Sequence, residues 1–165
     1  MFYNIEIMTF ELAEKISQWT YENEYSIYSF DKSEGTLKEL LSGDYFSCLD
    51  QEGRLIGYFC KGYSANIPTV EDYDYNDGIL DIGLGLRPDL CGKGMGYDFM
   101  FCGMKFLKKM YGDIPMRLTV ACFNLRAISL YQKFGFSIKT IVTHQKSLDN
   151  FFIMMQWGGA WVISS

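Results

Sequence analysis

A chain of 165 residues and 19.1 kDa that is 48% hydrophobic, 17% aromatic and 21% charged has the size of one domain and excludes disordered, collagen-like and low-complexity architectures. Its formal charge of −5 divides into 16 acids against 5 bases over residues 1–81 and 4 acids against 10 bases over residues 82–165. That balance disfavours a DNA or RNA binder and suggests an anionic ligand for the second half and a cationic one for the first. Five cysteines (Cys48, Cys60, Cys91, Cys102, Cys122) and a single histidine, His144, lack the close pairs of a zinc site. Reduced thiols, no metal and a structural role for His144 are expected.

In chain order, Tyr3 to Met8 alternates like a strand, and Thr9 can cap a helix with Leu12, Ile16 and Trp19, or Ala13, Ile16 and Thr20, on one face. Tyr21 to Asp31 mixes aromatics with acids and reads as loop or irregular helix, and Thr36 to Leu41 as a short helix. Tyr45 to Leu49 and Arg54 to Gly62 are strands joined by the polar turn Asp50 to Gly53, an antiparallel hairpin. An acidic excursion, Ser64 to Gly78, leads to a strand over Ile79 to Leu86 with Leu80, Ile82, Leu84 and Leu86 on one face and Asp81, Gly83 and Gly85 on the other. Pro88 stops it. Gly92 to Gly96 opens a helix to about Tyr111, with Phe99, Gly103, Phe106 and Met110 at intervals of three and four. A strand over Met116 to Ala121 precedes a helix capped by Asn124 and stopped by Gly135. Phe136 to His144 and Phe151 to Trp157 close the chain as two strands, read as an antiparallel pair. The fold class is mixed α/β (α+β), one domain over residues 1–157 with a short tail over 158–165.

The first fifteen residues have no basic leader before an apolar run, so export is not expected. The longest uncharged stretch, Asn150 to Ser165, falls short of the ~20 apolar residues of a spanning helix. A cytoplasmic location without a membrane partner is the expectation.

The chemistry concentrates at Leu86 to Gly96, LRPDLCGKGMG, where a strand ends and a helix begins. Such a junction points unpaired backbone N–H groups at an anion, and glycines allow close approach and positive φ. The Walker spacing fails because no Gly-Lys-Ser/Thr occurs, and the dinucleotide fingerprint lacks its third glycine. The run Leu86, Arg87, Pro88, then Cys91, Gly92, Lys93, Gly94, Met95, Gly96 resembles the acetyl-CoA loop of the GNAT superfamily of N-acetyltransferases. NLRAISLYQKFGF, Asn124 to Phe136, resembles that superfamily's second signature, with Asn124, Ala127, Leu130, Tyr131, Gly135 and Phe136 in register. The opening strand and helix, with Trp19, are also similar to its ribosomal-protein acetyltransferase branch.

The resemblance implies a mixed, mostly antiparallel central sheet flanked by helices, and an acetyl group passed from acetyl-CoA directly to a primary amine, in a small molecule or at a protein N-terminus. It assigns the main chain of Ile82, Leu84 and Leu86 to pantetheine, with room for the thioester arm at Gly83 and Gly85. The amides of Gly92 to Gly96 go to the pyrophosphate. Position 91 carries Cys where the family has Arg or Gln, which removes a side-chain phosphate contact; Lys93, Arg126 and Lys133 are the expected compensating contacts, and Asn124 at the helix start is a further candidate cofactor contact. An alkyl ammonium, reference pKa ~10.4, must lose a proton before it attacks. Asp81 is the candidate base, with Asp77 and Glu71 as fallbacks. A strand amide near Leu84 is the expected oxyanion donor. Tyr131 is the candidate acid for the departing thiolate.

The acceptor, expected to be cationic, is assigned to the acidic and aromatic segments 21–31 and 64–77, with Glu24, Tyr28, Glu71 and Asp77 as candidate contacts. A non-catalytic acyl-CoA-binding or sensor domain of the same fold is the alternative, favoured by Cys91. The sequence also leaves a homodimer open.

Overall fold

The computed structural model describes residues 2–158; the tail from Gly159 onward lies outside them. Its elements are β1 (Asn4–Ile7), α1 (Phe10–Ser17), α2 (Glu34–Leu40), β2 (Tyr45–Leu49), β3 (Leu55–Lys61), β4 (Leu80–Leu86), α3 (Gly96–Tyr111), β5 (Met116–Ala121), α4 (Leu125–Lys133), β6 (Ser137–Thr143) and β7 (Asn150–Gln156). Short 3-10 turns cover Asn23–Tyr28, Gly62–Ala65 and Pro88–Leu90. The strands follow the order β1-β2-β3-β4-β5-β7-β6 in a mixed sheet, with β4 and β5 parallel and the β1/β2, β2/β3, β5/β7 and β6/β7 pairs antiparallel. No described helix is long and apolar enough to cross a membrane.

Side-chain caps set the helix starts. Thr9 Oγ1 accepts from the Leu12 amide, Ser33 Oγ from Thr36 and Asn124 Oδ1 from Ala127, each satisfying a donor that has no partner within the helix. The Ser33 cap starts α2 two residues before the expected Thr36. α1 ends at Ser17, so Trp19, expected on its apolar face, is buried just beyond it, its amide bonded to the Ile16 carbonyl. α4 ends in a left-handed Gly135, φ 87°, with Phe136 N–H donating to the Tyr131 carbonyl and Gly135 N–H to Gln132.

The chain divides into two compact units, residues 1–60 with 84–106, and residues 61–83 with 107–165. In the first, Tyr3, Cys48, Ile56, Phe59 and Phe99 form a core in which the Phe59 and Phe99 rings lie 4.5 Å apart. Gly103 on α3 makes this approach possible, because a Cβ there would overlap the Phe59 ring. The β2/β3 turn is tied by Asp50, whose Oδ1 accepts from the Glu52 and Arg54 amides at 3.0 and 2.9 Å. In the second unit β7 lies between β5 and β6. The two final strands therefore pair as expected, and β7 is the neighbour of β5.

Candidate active site

In the first unit, β4 ends at Leu86 and Arg87 fastens its end to β3. The Arg87 amide donates to the Ile56 carbonyl at 2.8 Å, its Nη1 to the Leu55 carbonyl at 2.8 Å, and its remaining nitrogens to Asp89 at 2.6 and 3.1 Å. The Tyr21 hydroxyl donates to the Leu86 carbonyl at 2.5 Å, so the aromatic segment after α1 is tied to the same strand end. Burial raises the Tyr21 phenol well above its ordinary value, which keeps it a donor.

The loop that follows has the conformation its glycines allow. Gly92 and Gly94 have φ of 73° and 76°, the left-handed region, and Gly92, Lys93 and Gly94 are exposed. A Cβ on Gly94 would meet no protein atom within 4 Å, so the space in front of this turn is open to a ligand. Gly96 begins α3, so the N-terminal, partially positive end of this 16-residue helix adjoins that loop. Met95 is packed on the core cluster, and the Cys91 thiol lies 3.7 Å from the Arg87 carbonyl. The predicted cofactor contacts Leu84, Leu86, Cys91, Gly92, Lys93, Gly94, Met95 and Gly96 thus belong to one strand, turn and helix junction.

One expectation about this strand is corrected. The space above Gly85, assigned to the thioester arm, is taken by Tyr58: a Cβ on Gly85 would sit 2.5 Å from its ring. Tyr58 is held there by Trp19, Phe30 and Tyr45, with ring centroids 6.2, 5.6 and 5.7 Å away. Glu24 is exposed and Tyr28 half-buried in the 3-10 turn Asn23–Tyr28.

In the second unit, Asp81 and Ile82 are buried at the start of β4. Asp81 meets Arg117 of β5, which is fully buried, at a two-rung ladder, Leu80↔Met116 and Asp81↔Arg117. Arg117 Nε and Nη2 donate to the two Asp81 oxygens at 2.6 and 3.0 Å, and Nη1 donates to Asp77 Oδ2 at 2.7 Å and to the Tyr73 hydroxyl at 3.5 Å. Nη2 also donates to the Tyr75 carbonyl at 3.0 Å. The guanidinium carbon lies 5.4 and 5.0 Å from the centroids of Tyr73 and Tyr75. Burial pushes the Asp81 carboxyl up, against the pull of the Arg117 hydrogen bonds and charge. At Asp77 burial also opposes ionisation, but the Arg117 hydrogen bond, the Ile79 amide and the Arg117 charge hold the carboxyl below its usual range.

Glu71 is likewise engaged, accepting from the Thr143 amide at 2.8 Å and the Thr143 hydroxyl at 2.7 Å, bonds that lower its carboxyl. His144 forms an isolated antiparallel bridge with Thr69 and opens the turn that follows: Nδ1 accepts from the Lys146 and Ser147 amides. Tyr131 is buried on α4 with its ring edge-on to Phe136 at 6.3 Å, while Arg126 and Lys133 are exposed on the same helix. Among the described residues, no cluster of His, Cys, Asp or Glu could hold a metal. Arg117 was not singled out from the sequence. The signal was a lone arginine in the otherwise uncharged strand MRLTVA, downstream of an acid-rich segment.

No family model and no curated protein sequence matches the chain. Solved structures do. The aminoglycoside acetyltransferase AAC(6')-Ib in complex with paromomycin and acetyl-CoA superposes with a TM-score of 0.72 at 18% identity, over 96% of this chain and 94% of that one. A chimera of the spermidine N-acetyltransferase SpeG from Vibrio cholerae and hSSAT gives 0.66 at 15% identity, over 94% and 95%. An acetyltransferase of the GNAT family from Bacillus anthracis gives 0.69 at 14% identity, over 94% of each chain. The chain has the fold of the GNAT acetyltransferases.

Proposed function

We propose that the protein is an acetyl-CoA-dependent N-acetyltransferase acting on a primary amine of a cationic small molecule. The observation that carries this reading is the left-handed Gly92 and Gly94 turn, open in front of Gly94 and running straight into α3. Backbone amides aimed at such a space suit a pyrophosphate, and a fold shared with acetyl-CoA-bound and CoA-bound acetyltransferases supports that ligand. Leu84, Leu86 and Gly92 to Gly96 are then the cofactor contacts of the first unit, and Ile82 with Asn124, Arg126 and Lys133 those of the second. A cytoplasmic location belongs to the same proposal.

In the reaction the acceptor ammonium gives up a proton and its lone pair attacks the thioester carbon. The carbonyl oxygen takes the electron pair, stabilised by a β4 amide near Leu84, and collapse of the adduct breaks the C–S bond while the nitrogen gives up its second proton, which balances the one the thiolate takes up. Tyr131 donates a hydrogen bond or proton to the departing thiolate. Asp81 is an unfavourable base, since Arg117 engages both its oxygens. We assign the first proton to water, with Asp81 keeping β4 in place. Glu71 and Asp77, although exposed, also hold structure, so attraction of the acceptor falls to exposed carboxylates outside those pairings, such as Glu22, Glu24, Asp72 and Asp74.

A thiol-release assay over polyamines, aminoglycosides and amino acids, run beside calorimetric titration with CoA, tests the reading. Acetyl-CoA-dependent thiol release with at least one amine is expected. CoA binding without release on the whole panel would instead support a non-catalytic acyl-CoA-binding domain, the reading that Cys91 favours. Absence of CoA binding would overturn both.

A further inference from the structure

We propose that Arg117 is a positioning residue that fixes the acidic segment before β4 as a wall for a cationic acceptor; this rests on the acetyltransferase reading. A guanidinium has five N–H donors, and the five hydrogen bonds made by Arg117 use all of them. Two go to Asp81 on the neighbouring strand. The other three go to residues 73–77, which have neither helix nor strand of their own. Holding β4 against β5 does not need a buried ion; an apolar pair at the Asp81↔Arg117 rung would serve, without the cost of removing charges from water. An apolar pair could not hold an irregular polar segment. Arg117 can, because its fork fixes a carboxylate, a main-chain carbonyl and a phenol in set directions while its guanidinium carbon lies 5.4 and 5.0 Å from the centroids of two tyrosine rings that meet edge-on at 4.9 Å.

The charge arrangement points the same way. Asp81 and Asp77 together outweigh Arg117 by one negative charge, while Asp72 and Asp74 beside them are exposed. The buried arginine therefore places the segment without cancelling its acidity, leaving an acidic, tyrosine-bearing edge suited to an ammonium. Arg117 acts through this segment and need not touch the acceptor.

The test compares Asp77→Asn, which loosens the clamp from the segment side and leaves the Asp81 pair intact, with Asp72→Asn, which makes the same charge change at a side chain that Arg117 does not hold. Arg117→Lys keeps the charge and loses the fork. Amide hydrogen exchange over residues 69–79 is measured in the intact protein, together with KM for acetyl-CoA and for the panel amine of highest kcat/KM. Expected are faster exchange in Asp77→Asn and Arg117→Lys but not in Asp72→Asn, and a rise in acceptor KM that is at least about fivefold larger in Asp77→Asn than in Asp72→Asn. The KM for acetyl-CoA should stay within about twofold of wild type. Equal KM shifts in the two Asn variants would show that the segment acts through charge alone and overturn the proposal, as would unchanged exchange in Asp77→Asn and Arg117→Lys. A wild-type protein that transfers acetyl to no amine overturns the acceptor role with the function itself, while the exchange data still report whether Arg117 holds the segment.

Discussion

Tyr58 on β3 lies over Gly85 on β4: a methyl group at residue 85 would come within 2.5 Å of the tyrosine ring and 2.8 Å of its hydroxyl. The ring cannot swing aside cheaply, because Trp19, Phe30 and Tyr45 surround it. Gly85→Ala is therefore expected to destabilise the protein by about 1–3 kcal/mol, the usual cost of overpacking. Chemical denaturation measures this. Combining it with Tyr58→Leu should cost clearly less than the sum of the two single changes, and strict additivity would mean that the two residues do not meet.

The overpacking at Gly85 marks the boundary of what could be read from the residues alone. Strand alternation, the Thr9 and Asn124 caps and the Gly135 stop are local signals, and they locate most elements to within a residue or two. The Gly92 to Gly96 turn was legible for the same reason, since its chemistry is in its own backbone. Contacts between distant segments were not. Gly85 looks like an opening until Tyr58, 27 positions earlier, fills it. Asp81 looks like a poised base until Arg117 takes both its oxygens, and Glu71 like a ligand contact until Thr143 takes it. Each of these acids suits a substrate contact in sequence, and in the structure each already has a protein partner. The insertion of β7 between β5 and β6 has no local signature either, because both strands read equally well as the neighbour of β5.

The open space in front of Gly94 makes the cradle testable. Gly94→Val puts a branched side chain into that space and forces a left-handed φ of 76° on a residue that disfavours it, at about 1–2 kcal/mol. A Cβ at this position meets no protein atom, so the variant should fold with a modest fall in Tm while CoA affinity drops by at least about tenfold, equivalent to 1.4 kcal/mol. Calorimetry on the folded variant decides, and wild-type affinity would remove the pyrophosphate from this turn. Cys91→Arg should move affinity the other way by restoring a cation beside the loop.

Asp77 and Glu71 contribute to acid stability, as do Asp31, Asp50 and Asp89, because each has a folded-state pKa below its ordinary 3.8 for aspartate or 4.5 for glutamate. A carboxyl lowered in the folded state contributes stability above its unfolded pKa and loses it as pH falls through the folded one. Tm should thus be level from pH 7 to about 5 and fall below about pH 4. In Asp77→Asn the fall below that pH should be shallower. Identical pH profiles for the variant and wild type would mean that the Arg117 pairing does not favour the ionised Asp77.

Tyr131 is buried and its main chain closes the end of α4, so a change must spare the packing. Tyr131→Phe keeps the ring against Phe136 and removes only the hydroxyl. With reference values of ~10 for a phenol and ~8.5 for a thiol, a hydrogen bond to the developing thiolate matters most in the transition state. kcat should fall by about ten- to a hundredfold with CoA affinity unchanged. A parallel loss of CoA affinity would make Tyr131 a packing residue.

The acceptor's charge can be read from salt. With Glu71 and Asp77 engaged by Thr143 and Arg117, the carboxylates facing solvent in the two acidic segments include Glu22, Glu24, Asp72 and Asp74. Exposed charges attract an ammonium over about a Debye length, ~10 Å at 0.1 M salt and ~3 Å at 1 M, so their pull is largely screened across that range. Contact with a tyrosine face is short-ranged and survives it. At saturating acetyl-CoA, raising the ionic strength should therefore increase KM for a polyamine much more than for a zwitterionic amino acid, with kcat for each changing little. Replacing Glu24 and Asp72 together by Gln and Asn should flatten the salt dependence for the polyamine and leave that for the amino acid as it was. Equal salt effects on the two acceptors, or a preference for an acidic one, would show that these carboxylates serve only as solvated surface.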